Sequence, residues 1–242
     1  MKQTLSILIL VMLAGCATTE PPFDPVSAFQ SAETDMRKEN FEKARKEYQQ
    51  IQEKNPDRSY DAALMLRIAD TYYGEEKYEE ALVEYQNFLN YHPVNKDAGY
   101  AQFQIAMCSF MQFTTIDRDP EPTKTALREF QKLLQKYPKN AYAEEASKNI
   151  SICRDRLSEY ELYVGRFYQR TMAYRAATGR FEGLIKDYPG SSAEKDALYY
   201  DALAHLALGE KTEARSALET LVAKYPSMTG EARRLMHQTG TP

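Results

Sequence analysis

Three histidines, His92, His205 and His237, and three cysteines, Cys16, Cys108 and Cys153, are the side chains of this 242-residue chain best suited to hold a metal or act as nucleophiles. The histidines lie far apart, with no His pair at ligand spacing and no third ligating group beside any of them. A Gly-rich phosphate loop, a nucleophile elbow and a Cys-His signature are all missing. Adjacent carboxylates at Glu75-Glu76, Glu79-Glu80 and Glu144-Glu145 could act as general acid and base only in a cleft, and the helical pattern places them on solvated faces. The residues therefore predict no catalytic centre, no metal site and no cofactor. His205 is expected as a buried packing ring.

What repeats instead is an apolar skeleton: Ala, an aromatic or Leu four residues on, a bulky apolar residue at seven and Pro at twelve. The five copies are Ala44, Tyr48, Ile51, Pro56; Ala81, Tyr85, Phe88, Pro93; Ala126, Phe130, Leu133, Pro138; Ala177, Phe181, Leu184, Pro189; and Ala214, Leu218, Leu221, Pro226. Offsets of zero, four and seven share one face of a helix, and proline ends it. Polar capping residues are expected next, at Asp57, Asn95, Asn140, Ser191 and Ser227. Twelve residues before the Ala stands another small residue, Ala32, Ala69, Gly165 or Ala202, with Tyr72 and Tyr168 three further on. From Ala44 to Ala81 is 37 residues, to Ala126 a further 45, to Ala177 a further 51 and to Ala214 a further 37. These intervals resemble the period of the tetratricopeptide repeat, about 34 residues. The expected fold is all-α, a right-handed superhelix of about five tetratricopeptide-like helix pairs with a short C-terminal capping helix after Ser227.

At the N-terminus, Lys2 and an apolar run from Leu5 to Leu13 lead to Leu13-Ala14-Gly15-Cys16. Such a run is too short to span a bilayer, which takes about 20 residues, so it reads as a secretory signal ending in a lipobox. The expected organisation is a signal peptide over 1–15 and a lipidated Cys16 with an extended, Pro-containing tether over 16–25. A repeat domain over 26–242 follows, with repeats at about 26–56, 61–93, 97–138, 141–189 and 192–226. Cys108 and Cys153 could pair in an oxidising compartment, but their apolar helical surroundings favour unpaired, buried thiols. With 31 Lys and Arg against 35 Asp and Glu, net charge −4, no clustered basic surface offers itself to nucleic acid.

Two departures from the period stand out. Between Thr114 and Thr123 an eight-residue insertion carries Asp117-Arg118-Asp119-Pro120, either a binding loop or a longer turn that holds its own geometry. After Asn140 the chain runs to Gln169 without proline, predicting one long helix or a bent pair whose stripe passes Ile150, Cys153, Leu157, Tyr160, Val164 and Phe167. First helices of such a stack line a concave face suited to extended peptides. By repeat position the groove candidates are Phe29, Glu33, Leu66, Asp70, Tyr73, Phe103, Met107 and Phe110, although several of these could equally pack between repeats.

Lipobox, tether, five repeats, the Asp117-to-Pro120 loop and the run Glu161 to Tyr168 together resemble the BamD family of outer-membrane assembly lipoproteins, over the whole chain. The resemblance implies a non-enzymatic scaffold, anchored by lipid in the outer membrane and facing the periplasm. Its N-terminal repeats would receive the C-terminal signal of unfolded β-barrel proteins. Its C-terminal repeats would dock the periplasmic domains of BamA, beside other BAM lipoproteins. Docking candidates are then Asp117, Arg118, Asp119, Arg180, Lys186, Lys195 and Arg215. The alternative is a generic envelope adaptor, Tol-associated or secretin pilotin-like. A Cys16→Ala variant is expected to leave the membrane fraction of cell envelopes, and retention of lipid-linked attachment would overturn the lipobox reading.

Overall fold

A computed structural model describes residues 23–54 and 60–237. Cys16 with its lipobox, and Pro56 and Asp57, lie outside the described residues. Among those described, eleven α-helices follow one another: α1 Pro25–Arg37, α2 Phe41–Lys54, α3 Asp61–Gly74, α4 Tyr78–Tyr91, α5 Ala98–Phe110, α6 Glu121–Lys136, α7 Ala143–Arg170, α8 Tyr174–Asp187, α9 Glu194–Leu208, α10 Lys211–Lys224 and α11 Thr229–Met236. Each packs chiefly on the helix before it and the helix after it, as expected of stacked helix pairs.

The skeleton residues form the core. Ala44, Tyr48, Ile51, Ala81, Tyr85, Phe88, Ala126, Phe130, Leu133, Ala177, Phe181, Leu184, Ala214, Leu218 and Leu221 are all fully buried. The prolines act as expected. α4, α6, α8 and α10 each end two residues before one, and the intervening His92, Tyr137, Tyr188 and Tyr225 all sit near φ −130 or −126 to −129, outside the helical region. Each still donates its N–H to the carbonyl four residues back, of Phe88, Leu133, Leu184 or Leu221.

Helix starts differ from expectation. Asn95 and Asn140 accept the N–H two residues on, from Asp97 and Tyr142, so they shape the turns and do not cap the helices that follow. Ser191 is buried with its hydroxyl unpartnered, and Ser227 falls in a single 3₁₀ turn, Pro226–Met228. A side-chain cap is present at Asp24, which accepts from the N–H groups of Val26 and Ser27, so Pro25 opens α1 where the sequence suggested tether. The turn expected at Gly74 owes its left-handed backbone to Glu76, at φ 59°. Gly74 serves a different purpose: a Cβ there would lie 2.5 Å from the Phe41 ring.

Between the helices of a pair, the small residue on the first admits the large one on the second. Gly165 shows this most clearly, because a Cβ there would stand 2.4 Å from the buried Phe181 ring. In the first two repeats the same contact is completed by a polar bond. Tyr48 donates to Glu33 at 2.7 Å and Tyr85 to Asp70 at 2.7 Å, the acid following directly on Ala32 or Ala69. Repeat three changes both partners together. Phe130 takes the tyrosine's place, Met107 the acid's, and they share one apolar cluster.

The region after Asn140 is a single 28-residue helix, α7, about 42 Å long. Its first half, with Ala146 and Cys153, packs on α6, and its second, with Leu162 and Tyr168, packs on α8. The two seams are separated by about 20 Å along one axis, which offsets the last repeats from the first three. The buried line does not reach Phe167, which is 49% exposed; Gly165 and Tyr168 carry it instead.

Gly165→Ala is expected to destabilise by about 1–3 kcal/mol, whereas Gly183→Ala, which meets nothing within 4 Å, should stabilise by about 0.5–1 kcal/mol. Urea unfolding measures both. Phe130→Tyr should cost about 1–3 kcal/mol by burying an unpaired hydroxyl, and adding Met107→Glu should recover part of that loss in the same measurement.

Candidate functional site

The first three helix pairs carry a polar ladder built on the first-helix acids. Arg67 bonds Glu33 at 2.7 Å through Nε and Asp70 at 3.0 Å, and Asp70 also accepts the Tyr100 hydroxyl at 2.6 Å. Gln104 then donates to Tyr100. Four helices, α1, α3, α4 and α5, are thus tied together along one surface, with α2 joined through Tyr48. Burial pushes the phenols of Tyr48, Tyr85 and Tyr100 far above their ordinary range, reinforced next by the hydrogen bond to Glu33 at Tyr48 and by the Asp70 charge at Tyr85 and Tyr100. They are neutral donors at any physiological pH.

Beside this ladder lies an open groove of about 620 Å³, lined by Phe29, Leu66, Arg67 and Tyr100 from the first helices and by Lys96, Lys139 and Tyr142 from the turns between pairs. The Phe29 ring lies tilted against those of Tyr48 and Tyr60, with centroids 5.5 and 6.0 Å away. Of the sequence candidates, Phe29 and Leu66 line this groove, and Glu33 and Asp70 hold its Arg67 in place. Phe103, only 6% exposed, lies against Phe130 and Tyr142 inside the third pair, and Met107 and Phe110 pack on the same cluster. Tyr73 rests half-buried on Tyr78. These four belong to the packing between helices, which sequence position alone did not separate from the groove. Lys96, Lys139 and Tyr142 escaped sequence reasoning because they come from turns rather than first helices.

The inserted loop is organised. Arg118 donates its N–H to Thr115, Asp119 accepts the N–H of Glu121, and a hydrogen bond from Thr115 holds the Asp117 carboxyl below its ordinary value. Arg156, in the middle of α7, donates to the Thr114 carbonyl and lies 5.0 Å above the Phe113 ring. The loop therefore covers α7 near Leu157 and Tyr160, leaving the side chains of Asp117, Arg118 and Asp119 exposed. From the other side, Ser192 donates to Asp155 and Glu159 of the same stretch.

The remaining docking candidates spread over α8, α9 and α10. Arg180 bonds Glu161 of α7 at 3.0 Å, and this bond raises its pKa. Lys195 stands 4.0 Å from Asp196, Lys186 lines a groove beside His205, and Arg215 lies half-buried on α10. At the end of α7, Tyr163, Phe167 and Met172 are exposed apolar side chains; of these the sequence reading placed only Phe167, on the buried stripe. Cys108 and Cys153 are free, buried in separate clusters, and burial raises both thiols to about 12. His205 is buried as expected, but it is surrounded by carboxylates: Glu182, Asp201 and Glu210.

No described helix is long and apolar enough to cross a membrane. Among solved structures, the TPR2AB domain of yeast Sti1 aligns over 90% of this chain and 98% of that one, at 14% identity and TM-score 0.47. A relative from Vibrio cholerae named outer membrane protein assembly factor BamD is 29% identical, covering 86% of this chain and 92% of its own length. Its namesake from Caulobacter vibrioides is 27% identical over 97% of this chain and 80% of its own, and that from Rickettsia prowazekii 27% identical over 94% and 93%. A family model described as YfiO, outer membrane lipoprotein, matches residues 22–221. With that match running from just before α1 into α10, the chain belongs to the YfiO family of outer membrane lipoproteins.

Proposed function

We propose that this protein is a lipid-anchored scaffold of the outer-membrane β-barrel assembly machinery, facing the periplasm, which receives unfolded barrel proteins on its N-terminal repeats and docks BamA through its C-terminal half. The observation that carries the first role is the groove between Phe29, Leu66, Tyr100 and Tyr142, with Arg67, Lys96 and Lys139 at its edges. A C-terminal targeting segment presents a free carboxylate and apolar side chains alternating along an extended strand. Aromatic walls suit the side chains, and the three cations suit the carboxylate. Its relatives' shared name, assembly factor, supports the same reading, as does the Cys16 lipobox for the anchor. For the second role, the exposed Asp117, Arg118 and Asp119 of the loop beside α7, and the exposed Tyr163, Phe167 and Met172 on and just after its C-terminal part, offer charged and apolar groups of the kind protein partners cover. No part of the site is equipped for bond chemistry, and the protein acts by holding its partners in register.

A fluorescent peptide carrying a barrel protein's last strand is expected to bind the purified protein. Reversing both Lys96 and Lys139 to Glu should weaken that binding by about tenfold or more. Amidating the peptide's C-terminus should weaken it comparably, and equal affinity in all three cases would remove the groove from the mechanism. For the docking role, BamA is expected to co-purify from solubilised envelopes, and recovery of TolA or a secretin in its place would favour the adaptor reading.

A further inference from the structure

The last repeats hold a cluster used by neither the groove nor the docking surfaces. His205, on α9, is 4% exposed. Its Nδ1 is 2.8 Å from Glu210 Oε2, and the other oxygen of Glu210 accepts from Arg175. With the Nδ1 proton donated to Glu210, the Nε2 lone pair points between two further carboxylates. Glu182 Oε1, from α8, is 3.4 Å away, and Asp201 Oδ1, one turn back on α9, is 3.5 Å away. The Asp201 side chain is 7% exposed, and Oδ1 is buried without a hydrogen-bond partner. A buried carboxylate oxygen left unpaired is costly, and a bound cation beside it would remove that cost.

The geometry matches a metal ion. Ligand atoms of Glu182, Asp201 and His205 all lie within 4.8 Å of one another. A tetrahedral ion with bonds of about 2.1 Å sets its ligands about 3.4 Å apart, the spacing found from Nε2 to both oxygens. One imidazole with two carboxylates is a donor set for zinc-like ions rather than for magnesium or calcium, which favour all-oxygen shells. Two carboxylates also neutralise a divalent charge. The Glu210 contact on the far ring nitrogen is the carboxylate–histidine arrangement that fixes tautomer and orientation in metal sites. We propose that Glu182, Asp201 and His205 bind a divalent transition-metal ion of the zinc type, clamping α8 to α9, with an open coordination position toward the groove lined by Lys186, Thr212 and Glu213.

Desolvation raises the Asp201 carboxyl to about 7 despite the opposing charge of His205. An ion in the site would keep it ionised at neutral pH. Lys186 is the cation lining that groove on α8, and Arg175 is engaged by Glu210. The competing occupant is a proton, which would make His205 an imidazolium shared by the surrounding carboxylates.

Full-length protein in detergent, stripped with a chelator and titrated with Zn²⁺ against a chromophoric chelator at neutral pH, separates the two. One bound equivalent and a rise in melting temperature are expected. Glu182→Gln, at a side chain 61% exposed and so free to change without unfolding the stack, should lower the affinity at least about tenfold, and Glu210→Gln about 10- to 100-fold. Absence of a bound equivalent overturns the site, as does equal affinity in the Glu182→Gln protein. A His205 ring resonance that titrates with pH and ignores added Zn²⁺ assigns the cluster to a proton and overturns it as well.

Discussion

Everything in this molecule rests on the close approach of two helices over a residue with almost no side chain. Ala32, Ala69, Ala106, Gly165 and Ala202 occupy that place on the first helix of successive pairs, all buried, and each makes room for the large residue of the second helix. Phe181 against Gly165 is the limiting case, since a single added carbon would overlap the ring. Close packing tolerates little change in volume at such points, so the spacing between helices is set locally, pair by pair. A stack assembled from such contacts has no central core. Five hydrophobic clusters follow one another along it, each shared by adjacent helices.

The two breaks in the repeat form one structural solution. A helix of ordinary length must touch the pair before it and the pair after it at the same height. α7, with 28 residues, makes those contacts at opposite ends, and its middle would be left bare on the side facing α6. The inserted loop fills that side, fastened by Arg156 to Thr114 and Phe113, while the turn at Ser192 fastens the other. Lengthening the helix created the surface that the longer loop covers. On the same helix Tyr163 and Phe167 remain 45% and 49% exposed, so apolar side chains reach solvent there.

Buried charge is handled differently at the two ends. In the first repeats every acid of the ladder has tyrosine or arginine donors, and Arg45 is sandwiched between Glu75 and the Tyr72 ring. Toward the C-terminus, Glu194 is 1% exposed yet receives Lys224, Tyr225 and the Gly190 N–H. Burial alone would raise its carboxyl, and those three bonds bring it below the ordinary value. Asp201 Oδ1 lacks such a donor. Glu47 Oε2, Gln102 Oε1, Arg156 Nε and Ser191 Oγ are also buried without a hydrogen-bond partner, but Asp201 Oδ1 is set beside a buried imidazole nitrogen with a second carboxylate on that nitrogen's other side.

The skeleton of Ala, aromatic, bulky apolar residue and Pro was enough to establish helices, their ends at proline, their buried faces and their stacking in pairs, because all of these follow from local periodicity and nearest-neighbour contact. Even the exchange of Tyr and acid for Phe130 and Met107 was written there, legible once Glu33 and Asp70 were seen to stand at the same offset from Tyr48 and Tyr85. Tertiary structure alone decided whether a first-helix residue such as Phe103 or Leu66 met a neighbouring helix or the groove, since the inclination of one pair on the next is not a property of either pair's sequence. It alone chose one long helix over a bent pair. And only folding carried Glu182, 23 residues before His205 in the chain, to the far side of its ring: a cluster drawn from two helices has no spacing of its own, because the distance that matters is measured across the packed interface.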